Sequence, residues 1–232
     1  MGNSWIISDT HFYHKNIVEL ERYMLDHSGY GYIQTVEQYN EMLIRNINHH
    51  VRKDDTLYIL GDFCFGGFEQ VREVYNRLNG HKILLLGNHD HYTPTEGKKR
   101  AGLGEIYEGP IYLPGSKGKI ILSHYPVKEA YHNPYVYNLH GHLHGSVLDK
   151  EMGNFINVAA GVNNFEPLRL DHLKDKIMSS VKSRHERWLD EWFAEGYVMK
   201  DRSRPDVATY PGGKINIEAT RALKESLKEN KK

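Results

Sequence analysis

A layered α/β domain followed by a helical extension is the architecture that this 232-residue sequence predicts. Two observations carry the prediction. Short apolar runs alternate with stretches that repeat apolar residues every three or four positions, the strand–helix rhythm of layered α/β domains. At Asp171 that rhythm gives way to one long amphipathic pattern.

Trp5–Ser8 is the first strand candidate and runs straight into Asp9 and His11. Thr35 opens a capping box with Gln38, and Val36, Tyr39, Leu43, Ile47 and His50 follow at helical spacing. Thr56–Leu60 is a second strand and ends at Gly61-Asp62. Phe68–Asn79 is helical, with Val71, Val74, Tyr75 and Leu78 on one side and an exit at Gly80. His81–Leu86 and Lys119–Ser123 are further strands, ending at Gly87-Asn88-His89-Asp90 and at His124. Asn154–Ala160 reads as another strand, and Asn163–Leu170 as the segment that closes a domain spanning residues 1–171. Residues 172–232 form the extension. Leu173, Ile177, Val181, His185, Trp188 and Trp192 predict one long helix to about Glu195, its tryptophan stripe read as a packing face. Pro205, Pro211, Gly212 and Gly213 break the chain before a short last helix from about Ile217.

Composition narrows the partners. Thirty basic residues balance thirty acidic ones, so no global field draws the chain to nucleic acid or to a membrane. The longest apolar runs are far too short to span a bilayer. MGNSWIISD has neither the charged start nor the apolar stretch of a signal peptide, and Ile6 replaces the Ser or Thr of a myristoylation signal. The single cysteine, Cys64, rules out an internal disulfide and fits a reducing compartment. The expectation is a cytoplasmic protein, monomeric or dimeric through the C-terminal helix.

Each apolar run ends at a side chain able to bind a metal: Asp9 and His11, Asp62, Asn88, His124. An isolated Asp after a strand is usually a turn former, and an isolated His usually packs. Four such endings in order, carrying five candidate residues and followed by HGHLHG at 140–145, point instead to a site beyond the carboxyl ends of the strands. The donors are oxygen and nitrogen without thiolate, which suits Mn, Fe, Zn, Ni or Co. Seven candidates are too many for one ion and right for two that share a carboxylate. Two ions about 3.5–4 Å apart can clamp a phosphoryl group from both sides.

DTH at 9–11, GD at 61–62, GNHD at 87–90, His124 and GHLH at 141–144 together resemble the calcineurin-like metallophosphoesterase superfamily, in order and in spacing. LGDFCFGG, LNGHKILLLGNHD, LSHYP and NVAAGVNNFEPLRLD resemble its small stand-alone bacterial and phage members. The resemblance implies a four-layer α/β/β/α sandwich of two mixed sheets flanked by helices. It assigns Asp9, His11, Asp62 and His144 to one divalent ion, with Asp62 bridging to a second held by Asn88, His124 and His142; manganese is the expected metal. His89 would face the substrate and protonate the leaving oxygen or stabilise its charge, Asp90 would orient His89, and a metal-bridging hydroxide would attack phosphorus. A superfamily branch with an iron–tyrosinate colour has Tyr three residues after the bridging Asp; here Phe65 stands there, and Cys64 beside it reads as a small hydrophobe.

Within HGHLHG, strict alternation would put all three histidines on one face of a strand. The wider pattern makes the segment a turn, sends His142 and His144 to different ions, leaves His140 to packing, and uses Gly141 for close backbone approach. The expected substrate is a small phosphodiester or a nucleotide. A nuclease and a non-catalytic scaffold on the same fold are the alternatives. Tyr13, His14, Tyr92, Tyr125 and Tyr131 lie near the ligand loops and could stack on a base, while Lys98, Lys99 and Arg100 read as a solvated surface loop.

Overall fold

The computed structural model describes residues 2–133, 135–145 and 154–181, and the residues up to Met178 form one compact unit. Strands β1 (Ser4–Ile7), β2 (Thr56–Leu60) and β3 (His81–Leu85) are the predicted apolar runs. They pair in parallel with β4 (Glu105–Tyr107), and β9 (Leu168–Arg169) adds antiparallel to β1, giving the order β4-β3-β2-β1-β9. The second sheet has the order β5-β6-β7-β8, from β5 (Ile111–Tyr112), β6 (Ile120–Ser123), β7 (Tyr137–His140) and β8 (Phe155–Asn157). Its β5–β6 pair is antiparallel and the rest parallel.

Alternation along the strands explains the layering. Ile7, Leu57, Ile59 and Leu84 point to one face of the first sheet and join a buried cluster with helices α3 (Val36–His50) and α4 (Phe68–Arg77). Their neighbours Ile6, Tyr58, Leu60 and Leu85 alternate to the opposite face and are also buried. In the second sheet Ile121 packs with Ala130 of α6 (Lys128–His132), whereas Ile120 and Leu122 alternate inward. Two sheets buried on both faces, with helices outside each, make the expected α/β/β/α sandwich. Each fully buried Leu or Ile contributes about 1.5–3 kcal/mol to it.

Local signals start and stop these elements. Thr35 and Gln38 form the reciprocal capping box at the start of α3. Gly80, at φ +83°, turns the chain from α4 into β3. Short helices α1 (Ile17–Leu20) and α2 (Arg22–His27) follow the first ligand loop. Lys98, Lys99 and Arg100 are exposed as predicted, but on a wide helical turn, Gly97–Ala101, that continues α5 (Pro94–Glu96) rather than on a loop.

The feature that places the site is the seam between the sheets. Ser8 pairs with Ala159, through Ser8 N–H to Val158 O at 3.0 Å and Ala160 N–H to Ser8 O at 2.9 Å. This ties the carboxyl end of β1 to that of β8. Loops leaving both sheets therefore converge on one edge. Residues 170–181 are helical, one residue ahead of the change of character at Asp171. The rest of the predicted long helix, Trp188, Trp192, the breaker-rich stretch and the last helix lie outside the described residues. No helix among the described residues is long and apolar enough to cross a membrane.

Candidate metal centre

Two groups of ligating side chains meet at the seam. Asp9, His11 and His144 form one, and Asp62, His124 and His142 the other, the ligand atoms of each lying within 4.8 Å of one another. These are three of the four residues expected at each ion. Asp62 adjoins both: its Oδ2 is 3.6 Å from His11 Nε2 and 3.5 Å from His124 Nε2. Asn88 completes the picture, with Oδ1 at 2.9 Å from His124 Nε2 and 3.0 Å from His142 Nδ1.

The backbone is bent to aim these groups. Asp9, His11, Asp62, His142 and His144, five of the seven candidates, have φ between 45° and 65°, the left-handed region that only glycine enters freely. Such conformations persist where surrounding bonds over-determine them. Asp9 N–H donates to Gly61 O at 3.1 Å and His11 N–H to Asp62 O at 3.0 Å, lacing the first two loops together. His142 N–H donates to both carboxylate oxygens of Asp9, at 3.0 and 3.1 Å, and the Ser8 hydroxyl lies 2.6 Å from Asp9 Oδ2. Gly141 permits that approach, since a Cβ there would collide with the Ser8 hydroxyl and the Asp9 carboxylate.

Hydrogen bonds also set which atoms can ligate. His124 Nδ1 is 2.9 Å from the carbonyl of Leu60, which can only accept, so Nδ1 carries the proton and Nε2 presents a lone pair to Asp62 and Asn88. His11 Nδ1 is buried without a hydrogen-bond partner among the described residues. A buried lone pair, converging oxygens and the absence of thiolate are what a pair of hard or borderline divalent cations requires, so these residues fit such ions. Burial alone would raise the Asp62 carboxyl, but the His11 imidazole beside it and the hydrogen bond from the His89 N–H hold it down at about 2. It is ionised at any pH where the protein would work.

Sequence reasoning missed Glu21. This buried residue between α1 and α2 places Oε1 at 3.2 Å from His144 Nδ1 and raises the pKa of that imidazole. Carboxylates that hold the far nitrogen of a metal-binding His fix its ring and raise its basicity. An acid in the turn between two short helices carries no sequence mark of this role.

Asp90 needs a correction. Its carboxylate does not meet the His89 ring: Oδ1 accepts from Phe63 N–H at 3.0 Å and Oδ2 from Gly87 N–H at 2.9 Å. Both oxygens are thus committed to bracing the Asp62 loop against the Gly87 loop. Burial pushes the carboxyl up to about 6, partly offset by those two N–H donors. His89 is exposed, its N–H donates to Asp62 Oδ1 at 2.9 Å, and its ring makes no hydrogen bond to another described residue.

The remaining candidates sort by contact. His140, buried at the end of β7, lies 2.9 Å through Nδ1 from the carbonyl of Gly141 and packs near Phe155; beyond it the chain leaves the strand as a turn. Burial pushes the Cys64 thiol up to about 12, so it stays neutral. Tyr125 lies 4.4 Å from the His142 ring, His14 4.2 Å from Phe65, and Tyr13 donates to Glu73 at 2.5 Å. The side chain of Tyr131 lies outside the described residues.

The family model for calcineurin-like phosphoesterases matches residues 3–214. The chain belongs to that family. An uncharacterized protein of Methanocaldococcus jannaschii is 31% identical over 193 residues, covering 78% of this chain and 97% of its own. The gene 66 protein of Mycobacterium phage L5 is 29% identical over 142 residues, 54% of this chain and 64% of its own. Among solved structures, a protein of unknown function from Aquifex aeolicus superposes with a TM-score of 0.58 at 27% identity, covering 75% of this chain and 99% of its own. The calcineurin-like phosphoesterase family implies divalent ions, and the two ligand groups supply places for them.

Proposed function

We propose that the chain hydrolyses phosphate esters with two divalent cations, manganese by preference, and acts on a small phosphodiester or a nucleotide. One observation carries the reading: the Asp62 carboxylate stands between two ligand groups and touches an imidazole of each. Bound there, the ions would supply Lewis acidity, neutralising phosphoryl charge and lowering the pKa of water.

The protein's own groups do the rest. Asp9, His11 and His144 would hold one ion, and Asn88, His124 and His142 the other, with Asp62 common to both. His89 borders the centre with ring nitrogens that hydrogen-bond no other described residue, so one of them can give a proton to the departing ester oxygen. As water oxygen bonds to phosphorus and releases one proton to solvent, the P–O bond to the alcohol breaks in line, and the alcohol leaves with the His89 proton. Glu21 keeps His144 in place, and Asp90 keeps the Asp62 and Gly87 loops in register.

The test is a panel of an aryl phosphomonoester, an aryl phosphodiester, cyclic nucleotides and short oligonucleotides, each with added Mn²⁺. Turnover of the diester or a nucleotide is the expected result. Preference for oligonucleotides would make the protein a nuclease, and no turnover with any divalent ion would leave a scaffold.

A further inference from the structure

Beside the metal centre lies a half-open cavity of roughly 220 Å³, lined by Cys64, Phe65, Phe68, Val71, His89 and Tyr92 together with His91 and the Gly66-Gly67 backbone. Phe65 and His89 belong to both places: their rings are 4.7 Å apart, and each lies within 6.4 Å of His11. Whatever is esterified to a phosphate at the metal centre therefore has this cavity as a neighbour.

Its walls define the occupant. Phe65, Phe68 and Tyr92 present flat apolar surface, with Phe68 and Tyr92 5.8 Å apart. The Tyr92 hydroxyl is buried, so its exposed part is ring. Arg100 lies over the Phe68 ring, its guanidinium 3.9 Å from the centroid, but does not line the cavity. Among the described residues no lysine, arginine, aspartate or glutamate lines the cavity. Beyond the imidazoles of His89 and His91 a second phosphate would find no cation on these walls, and a sugar would find few polar partners. The volume, about seven waters' worth at roughly 30 Å³ each, holds a ring system and is below the roughly 300 Å³ at which pockets for whole drug-sized ligands begin.

We propose that this cavity is a ring subsite, which takes the flat, uncharged aromatic group of the ester, nucleobase or aryl, while its phosphate lies on the metal centre. The proposal rests on the phosphoesterase reading for its phosphate and on Phe65, Phe68 and Tyr92 for its ring.

The test is calorimetric, on the full chain with Mn²⁺, using three probes that have no hydrolysable P–O–C link: methylphosphonate, phenylphosphonate and the phosphonate isostere of AMP. Stacking predicts that a ring-bearing probe binds on the order of tenfold more tightly than methylphosphonate. Tight binding of phenylphosphonate alone identifies an aryl group, and of the AMP isostere a nucleobase. Phe68→Ala and the bulk-preserving Phe68→Leu should each bring the ratio close to one. Equal affinity for all three probes overturns the subsite, as does a ring preference that both Phe68 variants leave intact. Turnover of bis(p-nitrophenyl) phosphate on the same preparation separates the two readings. Turnover without ring preference removes the subsite alone, and ring preference without turnover removes the phosphoesterase reading alone.

Discussion

Replacing Asp62 by asparagine separates charge from shape at the centre of the site. Asparagine keeps an oxygen for the His89 N–H and almost the same volume, but removes the negative charge facing His11 and His124. The Asp62 carboxyl stands at about 2 against an ordinary 3.8. That difference corresponds to about 2 kcal/mol between charged and neutral forms. A depressed carboxyl stabilises the fold above its unfolded pKa and loses that contribution as pH falls through the folded one. Metal-free Asp62→Asn is therefore expected to be about 2 kcal/mol less stable than the parent at neutral pH, with the gap shrinking as pH falls from about 4 towards 2. For a domain of this size the loss lowers Tm by roughly 4–8 °C. Adding Mn²⁺ should widen the gap, because an ion stabilises only the protein that binds it. The assay is a thermal melt in EDTA and in Mn²⁺, with bound metal counted and turnover measured on the same samples. Equal melting in EDTA at neutral pH would refute the electrostatic account. Two ions retained with full turnover would refute the shared-carboxylate account.

Other outcomes follow from the same geometry. His89→Ala should keep the full complement of bound metal and lower turnover by about 10²–10⁴-fold, the usual worth of a general acid; loss of an ion would make His89 a ligand instead. Glu21→Gln should weaken metal binding by about 10–100-fold while the protein stays folded, read by calorimetry with Mn²⁺. Asp90 titrates near 6 in the fold, above its ordinary 3.8, so it favours the folded state at low pH and that contribution, about 3 kcal/mol, is lost as pH rises from about 4 to 6. Metal-free Asp90→Asn should flatten the stability profile in that window, and an unchanged slope in denaturant titrations would count against it. Gly141→Ala should abolish metal binding, since its methyl group displaces the Asp9 carboxylate.

Much of this was written in local signals. The capping box at Thr35, the apolar runs at 56–60 and 81–85, and the metal-capable residue at the end of each strand all follow from short-range chemistry. HGHLHG was legible too, because Gly141 and the other motifs made a regular strand the poorer reading. What was hidden depends on distance across the chain. Glu21 meets His144 from 123 residues away, and Asp90 turns from its neighbour His89 to the backbone of Phe63 because a buried carboxylate takes whichever N–H donors burial leaves it. The ring cavity is equally non-local: Phe65 comes from the β2–α4 turn, Phe68 from the start of α4 and Tyr92 from beyond β3, a meeting made by sheet order rather than by spacing.

The left-handed backbone at Asp9, His11, Asp62, His142 and His144 sets folding against function. Each of these residues is held in a conformation that costs an L-amino acid about 1–2 kcal/mol and glycine almost nothing. A glycine at His142 or His144, whose side chains are only half-buried, would ease the chain while deleting a ligand, whereas at Asp62 the lost charge offsets the relief. Selection for thermal hardiness alone, in metal-free medium, should therefore drift towards glycine at these two histidines and disarm the protein as it toughens it. In a relative, glycine in place of one of the five would mark a lineage that had stopped using the ion.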